Sequence, residues 1–159
     1  MIRRTFGKAA VAAAACGIAF TSAQASAAAG NGIVKGKSAY TMQDTISRIT
    51  DDIAAKKIKL FDVIDQAKLG KDAGVELNPS TLIVFGNPPL GTQFLTSNPD
   101  SGLDWPVRLL VYQDKDGQVW TAYTDFTWIA QRHGNSDRAA QFKTASEVIA
   151  LIVSSVATH

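Results

Sequence analysis

The sequence predicts an α+β two-layer sandwich, a mainly antiparallel sheet of four or five strands with helices packed on it. Three observations carry this. Apolar residues recur at helical spacing in two segments, Met42–Ile53 and Phe142–Val156. Short runs rich in β-branched and aromatic residues fall between turn residues. Strands and helices follow one another in the order β-α-β-(α)-β-α-β-β-α-α. The strict alternation of a Rossmann or flavodoxin fold is missing.

The chain opens on a segment that is read as targeting rather than structure. Arg3, Arg4 and Lys8 precede an apolar run, Ala9–Phe20, and small residues at Ala23, Ala25 and Ala27 offer cleavage sites. That layout predicts a cleavable signal over residues 1–27 and a periplasmic or secreted mature protein. Arg3-Arg4 also fits the twin-arginine export pattern. Cys16 lies within the apolar run, three residues after Ala13 rather than a leucine. Removal with the signal is therefore expected in place of lipidation.

A lead-in, flexible by its small residues, is expected over 28–37 and a single globular domain over 38–156. A first strand is read within Ile33–Tyr40. Thr41 caps a helix, with Asp44 three residues on, and Met42, Ile46, Ile49 and Ile53 stripe one face of it to about Lys57. The charges off that stripe, Lys56 among them, are read as solvated. Lys59–Asp65 alternates as a strand, with Leu60, Asp62 and Ile64 on one face. Ala67–Gly74 is a short helical or irregular turn. Thr81–Phe85 is continuously apolar and predicts a central strand buried on both faces, with Leu82, Val84 and Phe85 in the core. Asn87 then caps a helix that starts at Pro88 and runs to about Ser97. Asn98–Pro106 is a loop. Val107–Gln113 and Val119–Thr124 form a hairpin turned at Gly117. Phe126–His133 is a helix closed by Gly134, and Asp137–Val156 is a longer one.

Composition excludes several function classes. The chain of 159 residues has one Cys and two His, which leaves no disulfide framework and no histidine-rich metal centre. Loss of residues 1–27 removes three of 16 basic residues, leaving 13 against 14 acidic ones and a net charge of −1. That carries no nucleic-acid footprint. No apolar run beyond the signal is long enough to cross a membrane. No phosphate-binding loop, nucleophile elbow, zinc-protease or EF-hand pattern occurs, so no cofactor is expected.

The most structured motif is Phe85–Thr92. A buried strand feeds a capped helix N-terminus, where amide groups hold anions, and Gly86 and Gly91 leave room for a ligand near the backbone. Capping by Asn87 accounts for the same residues without a ligand. Pro88 and Pro89 also remove two amide donors. Arg108 is the one cation within the hairpin strands, and on the sheet's inner face it would need Asp104 or an anionic ligand beside it. Asp62 and Asp65 point to opposite faces and do not form an acid–base pair. His133 ends its helix as a cation with no carboxylate or nucleophile identifiable near it. Trp105, Trp120, Trp128, Tyr112 and Tyr123 could line an apolar pocket, packing being their commoner use.

Four ordered segments together resemble a known family. They are Phe61–Gln66, Leu82–Pro88 with Gly91-Thr92, Leu103–Tyr112 followed by Asp116–Val119, and Trp128–Gly134. The sequence resembles the domain of unknown function 302 family of bacterial proteins over roughly residues 38–155. The resemblance implies a TATA-binding-protein-like fold of strand-helix-strands-helix type, a homodimer, and no established activity. Asn87, Thr92, Asp104 and Arg108 match the family pattern. Gln66 departs from it, standing where members commonly carry His. It puts any His-dependent chemistry in doubt here.

The expectation is an exported, non-enzymatic domain that binds a small anionic molecule or a protein partner. Its candidate ligand-binding residues are Asn87, Gly91, Thr92, Asp104 and Arg108. The competing readings are an enzyme that uses Asp65 or Asp104 with Arg108, and a purely structural homodimer.

Overall fold

The computed structural model describes residues 30–158. The signal-like segment and Cys16 lie outside them, as does His159. The elements are β1 (Ile33–Lys37), α1 (Met42–Ala55), β2 (Lys59–Asp65), α2 (Gln66–Asp72), β3 (Ser80–Gly86), α3 (Pro88–Ser97), β4 (Val107–Gln113), β5 (Val119–Thr124), α4 (Phe126–His133) and α5 (Ala139–Ser154). The strands form one antiparallel sheet in the order β1-β5-β4-β3-β2. Helices pack on it, so the fold is an α+β sandwich.

Local signals placed most of these elements. Thr41 accepts from the Asp44 amide and so caps α1, which buries Ile49 and Ile53. Gly134 closes α4 at φ 65°, a left-handed conformation that glycine adopts without strain. Gly117 turns the β4–β5 hairpin at φ 82°. The stripe Phe142, Ala145, Ile149, Ile152 and Val156 is buried along the α5 segment.

The first strand, read within Ile33–Tyr40, is β1 at Ile33–Lys37, paired along the open edge of β5. Four expectations change. The loop after α3 contains a 3₁₀ turn, Pro99–Leu103. Asp137 falls in a further 3₁₀ turn, Ser136–Arg138, and α5 starts after it.

The third concerns β3, which is interior but buried on one face only. Thr81, Ile83 and Phe85 are buried under the helices, whereas Leu82 and Val84 are half-buried on the outer face. There Leu82 lies opposite Ile64 and Leu110, and Val84 opposite Asp62 and Arg108. Cross-strand neighbours shield these side chains where no helix does.

The fourth concerns β2, an edge strand whose alternation is broken by a register shift between Leu60 and Asp62. Leu60 therefore sits opposite Phe85 on the helix-facing side, away from the outer face that Asp62 and Ile64 share. Leu60, Phe61 and Val63 remain 41%, 40% and 39% exposed.

Candidate functional site

The end of β3 and the start of α3 are built around one aromatic ring. Asn87 caps α3 weakly, its Oδ1 accepting from the Leu90 amide at 3.4 Å. Pro88 and Pro89 occupy the first two helical positions. The indole of Trp105 lies against this turn. A Cβ built on Gly91 would stand 1.8 Å from Trp105 Nε1, and one built on Gly86 3.1 Å away. The expectation that these glycines admit a ligand is thus corrected. They admit Trp105, whose bulk allows no side chain at position 91.

Beside the ring lies a cavity of about 320 Å³ bounded by the β3–α3 turn, α5, the end of α1 and Trp105. Phe85, Phe94, Phe126 and Ile149 form its apolar wall from the core, and Leu90 and Val148 continue that wall. The polar side chains on it are Lys56, Asn87 and Thr144, with the Trp105 indole N–H. Lys56 is paired with Asp52 one helical turn back, at 2.5 Å. The Thr144 hydroxyl donates to the Ala140 carbonyl.

A second constellation gathers at Asp104, whose side chain is 4% exposed. Arg108 Nη2 donates to its Oδ1 at 3.0 Å. Arg132 Nη1 donates to Oδ2 at 3.1 Å. His133 Nε2 stands 2.7 Å from that same oxygen. A carboxylate only accepts, so the ring nitrogen facing it carries the proton. Sequence reading found no carboxylate for His133, because its partner is 29 residues away and no local spacing announces it. Asn98 Nδ2 donates to the His133 carbonyl. The buried Asn135 accepts from Ser101 Oγ and donates to the Phe94 carbonyl. This network ties the 3₁₀ turn after α3 to the end of α4. Both oxygens of Asp104 are occupied by cationic or ring N–H donors, which leaves it poorly placed to act as a base.

The five predicted site residues do not converge. Asn87 and Gly91 line the cavity. Thr92 is exposed on α3, its hydroxyl donating to the Pro88 carbonyl at 2.7 Å. Asp104 is buried in the ionic network. Arg108, with its side chain 50% exposed, borders a separate open groove on the outer sheet face together with Lys35, Leu110 and Tyr112. The register explains the split: Arg108 stands opposite Val84, whose face is the one that carries no helices. Asp65 caps α2, its Oδ1 accepting from the Lys68 amide. Gln66 Oε1 accepts from Ser80 Oγ at 2.7 Å and ties α2 to the start of β3. Of the aromatic residues, Trp105 lines the cavity. Lys37 lies over the Trp120 ring and Lys35 over Tyr112. Trp128 and Tyr123 pack against the core.

The molecule is thus a small α+β domain with an apolar cavity beside a glycine-seated tryptophan and a saturated ionic network next to it. The chain belongs to the family described as domain of unknown function DUF302, whose model matches residues 34–153. The crystal structure of an uncharacterized conserved DUF302 protein from Bacillus stearothermophilus is similar, with a TM-score of 0.72 at 15% identity. That similarity covers 79% of this chain and 98% of the other. Over 103 residues, the chain is 36% identical to proteins named fluoride-specific ion channel FluC 1 in Brucella suis biovar 1 and Brucella abortus biovar 1. The match takes in 65% of this chain but only 41% and 38% of those proteins. Among the described residues no helix is long and apolar enough to cross a membrane.

Proposed function

We propose that the protein is a non-enzymatic binding domain that takes a small molecule into the cavity between β3, α3 and α5. It acts in the periplasm or outside the cell once residues 1–27 are removed. The observation that carries the reading is the cavity itself. It holds about 320 Å³ behind a mostly apolar wall with a few polar groups on it, the form that small-molecule sites take. Binding without turnover is favoured by its chemistry, since no carboxylate, imidazole or thiol is found among the described residues that line it.

The test uses anilinonaphthalene sulfonate, an aryl sulfonate whose emission rises in apolar surroundings, as probe. Wild-type protein should enhance its emission and Val148→Phe, which fills the cavity, should abolish the enhancement at an unchanged melting temperature. Equal enhancement by both proteins would place the probe elsewhere and remove the reading. N-terminal sequencing of the exported protein should begin near Ser26 or Ala28, and an intact Met1 would remove the extracytoplasmic assignment.

A second reading draws on the relatives. A related segment lies within longer proteins named as fluoride channels. This favours a module that works beside an ion-handling membrane protein. It predicts that cells lacking the protein grow less well on millimolar fluoride but normally on chloride. Identical growth across both series would remove this reading.

A further inference from the structure

The ligand class can be read from the polar groups of the cavity, on the premise that the cavity is a binding site. Its apolar wall takes a hydrocarbon body. At about 320 Å³ the cavity falls within the size range of small-molecule sites, roughly 300–1,000 Å³.

The polar side chains among the residues that line this space carry mostly donors. Asn87 spends its Oδ1 on the Leu90 amide, and its Nδ2 has no partner among the described residues. Trp105 Nε1, which can only donate, likewise has none. Nε1 rests against Gly86 and Gly91, and Asn87 directly follows Gly86 in the chain, so both residues border the cavity at the β3–α3 turn. Lys56 adds a positive charge at the wall. Asp52 shares that charge through one carboxylate oxygen, while its other oxygen is buried without a hydrogen bond. The Thr144 hydroxyl is the side-chain acceptor with a free lone pair. The α3 amides contribute little, because prolines hold the first two positions.

Unpartnered donors on the residues at one end of an apolar cavity call for an acceptor-only head on an apolar body. The geometry points to a medium-chain or aryl monocarboxylate as the ligand, its two oxygens taken by Asn87 Nδ2 and Trp105 Nε1 with Lys56 beside them. A neutral alcohol of equal length offers a donor that the site does not need. An amine places a cation near Lys56.

The test is calorimetric titration of the mature protein with octanoate, octan-1-ol and octylamine. Octanoate should bind about tenfold more tightly than octanol, the worth of one charge-assisted hydrogen bond, and octylamine more weakly than either. Asn87→Asp keeps a capping oxygen but sets a carboxylate where the head should lie. Octanoate affinity should fall at least about tenfold while octanol binding holds within about twofold. Trp105→Phe removes the N–H and keeps a ring. It should erase the preference for octanoate, and it serves if Asn87→Asp melts. Equal binding of octanoate and octanol by the wild type would overturn the ligand class and leave the cavity reading standing. Enhanced probe fluorescence without octanoate binding would do the same. Failure of the fluorophore and of all three compounds to bind would overturn both.

Discussion

At the scale of single residues, position 91 decides between two opposed effects. In the first turn of an exposed helix, glycine costs about 1 kcal/mol relative to alanine, so Gly91→Ala would ordinarily stabilise. Here the new Cβ would stand 1.8 Å from Trp105 Nε1, and the ring must swing away. The expected result is a loss of about 1–3 kcal/mol, from overpacking, together with a red shift of tryptophan emission. A melting temperature at or above wild type would mean that Trp105 yields freely. Asp114 offers a second test. The indole N–H of Trp120 donates to its Oδ2 at 2.7 Å. This bond is the main reason its pKa lies below the ordinary 3.8, although desolvation opposes it. A carboxylate whose folded value is depressed contributes stability above its unfolded value and loses it as pH falls through the folded one. The Trp120 indole proton resonance should therefore shift with a midpoint below 3.8, the ordinary value. In Asp114→Asn that shift should vanish. A midpoint above it would contradict the bond.

At the scale of elements, β3 separates a covered face from an uncovered one. Ile83 is 0% exposed beneath the helices, so Ile83→Ala should cost about 2–5 kcal/mol through lost burial and a cavity. Val84 is half-buried on the outer face, and Val84→Ala should cost about 1 kcal/mol or less, since much of its surface is already wet. Denaturation midpoints of the two variants measure the difference. Equal losses would mean that the outer face is covered in solution. The same one-sidedness explains why a continuous apolar run misled the sequence reading, for Leu82 and Val84 are apolar without being core. In β2 a single bulge turns Leu60 to the opposite side from the one that period-two alternation assigns it.

At the scale of the whole molecule, β2 leaves the sheet with an open edge. Leu60, Phe61 and Val63 on it are each about two-fifths exposed, with Leu69, Val75 and Leu77 exposed on α2 and the loop after it. Exposed apolar edges of this kind pair with other strands unless blocked. A second copy of the chain is the partner expected there. Lys59 and Asp65 at the two ends of β2 would face each other across an antiparallel two-fold. Sedimentation should give a dimer for the mature protein, and Val63→Lys should return it to monomer with the fold intact. A monomeric wild type at high micromolar concentration would refute the pairing.

Elements, caps and turns were legible in the amino-acid order by itself. Each rests on forces acting within a few residues: the Thr41 and Asn87 caps, the glycines at 117 and 134, and the helical stripe along α5. The order of strands and helices, and with it the α+β class, followed from those local signals. The site was legible in part. Asn87 and Gly91 were found because they sit on a punctuated turn, but what fills the space beside Gly91 is a tryptophan brought from the other end of a loop. Tertiary structure alone decided that Arg108 faces away from the cavity, that Asp104 gathers Arg108, Arg132 and His133, and that Lys56 stands at the cavity wall. Those meetings depend on strand register and on which face the helices cover. Both are set by the burial of the whole core, and no spacing along the chain encodes them.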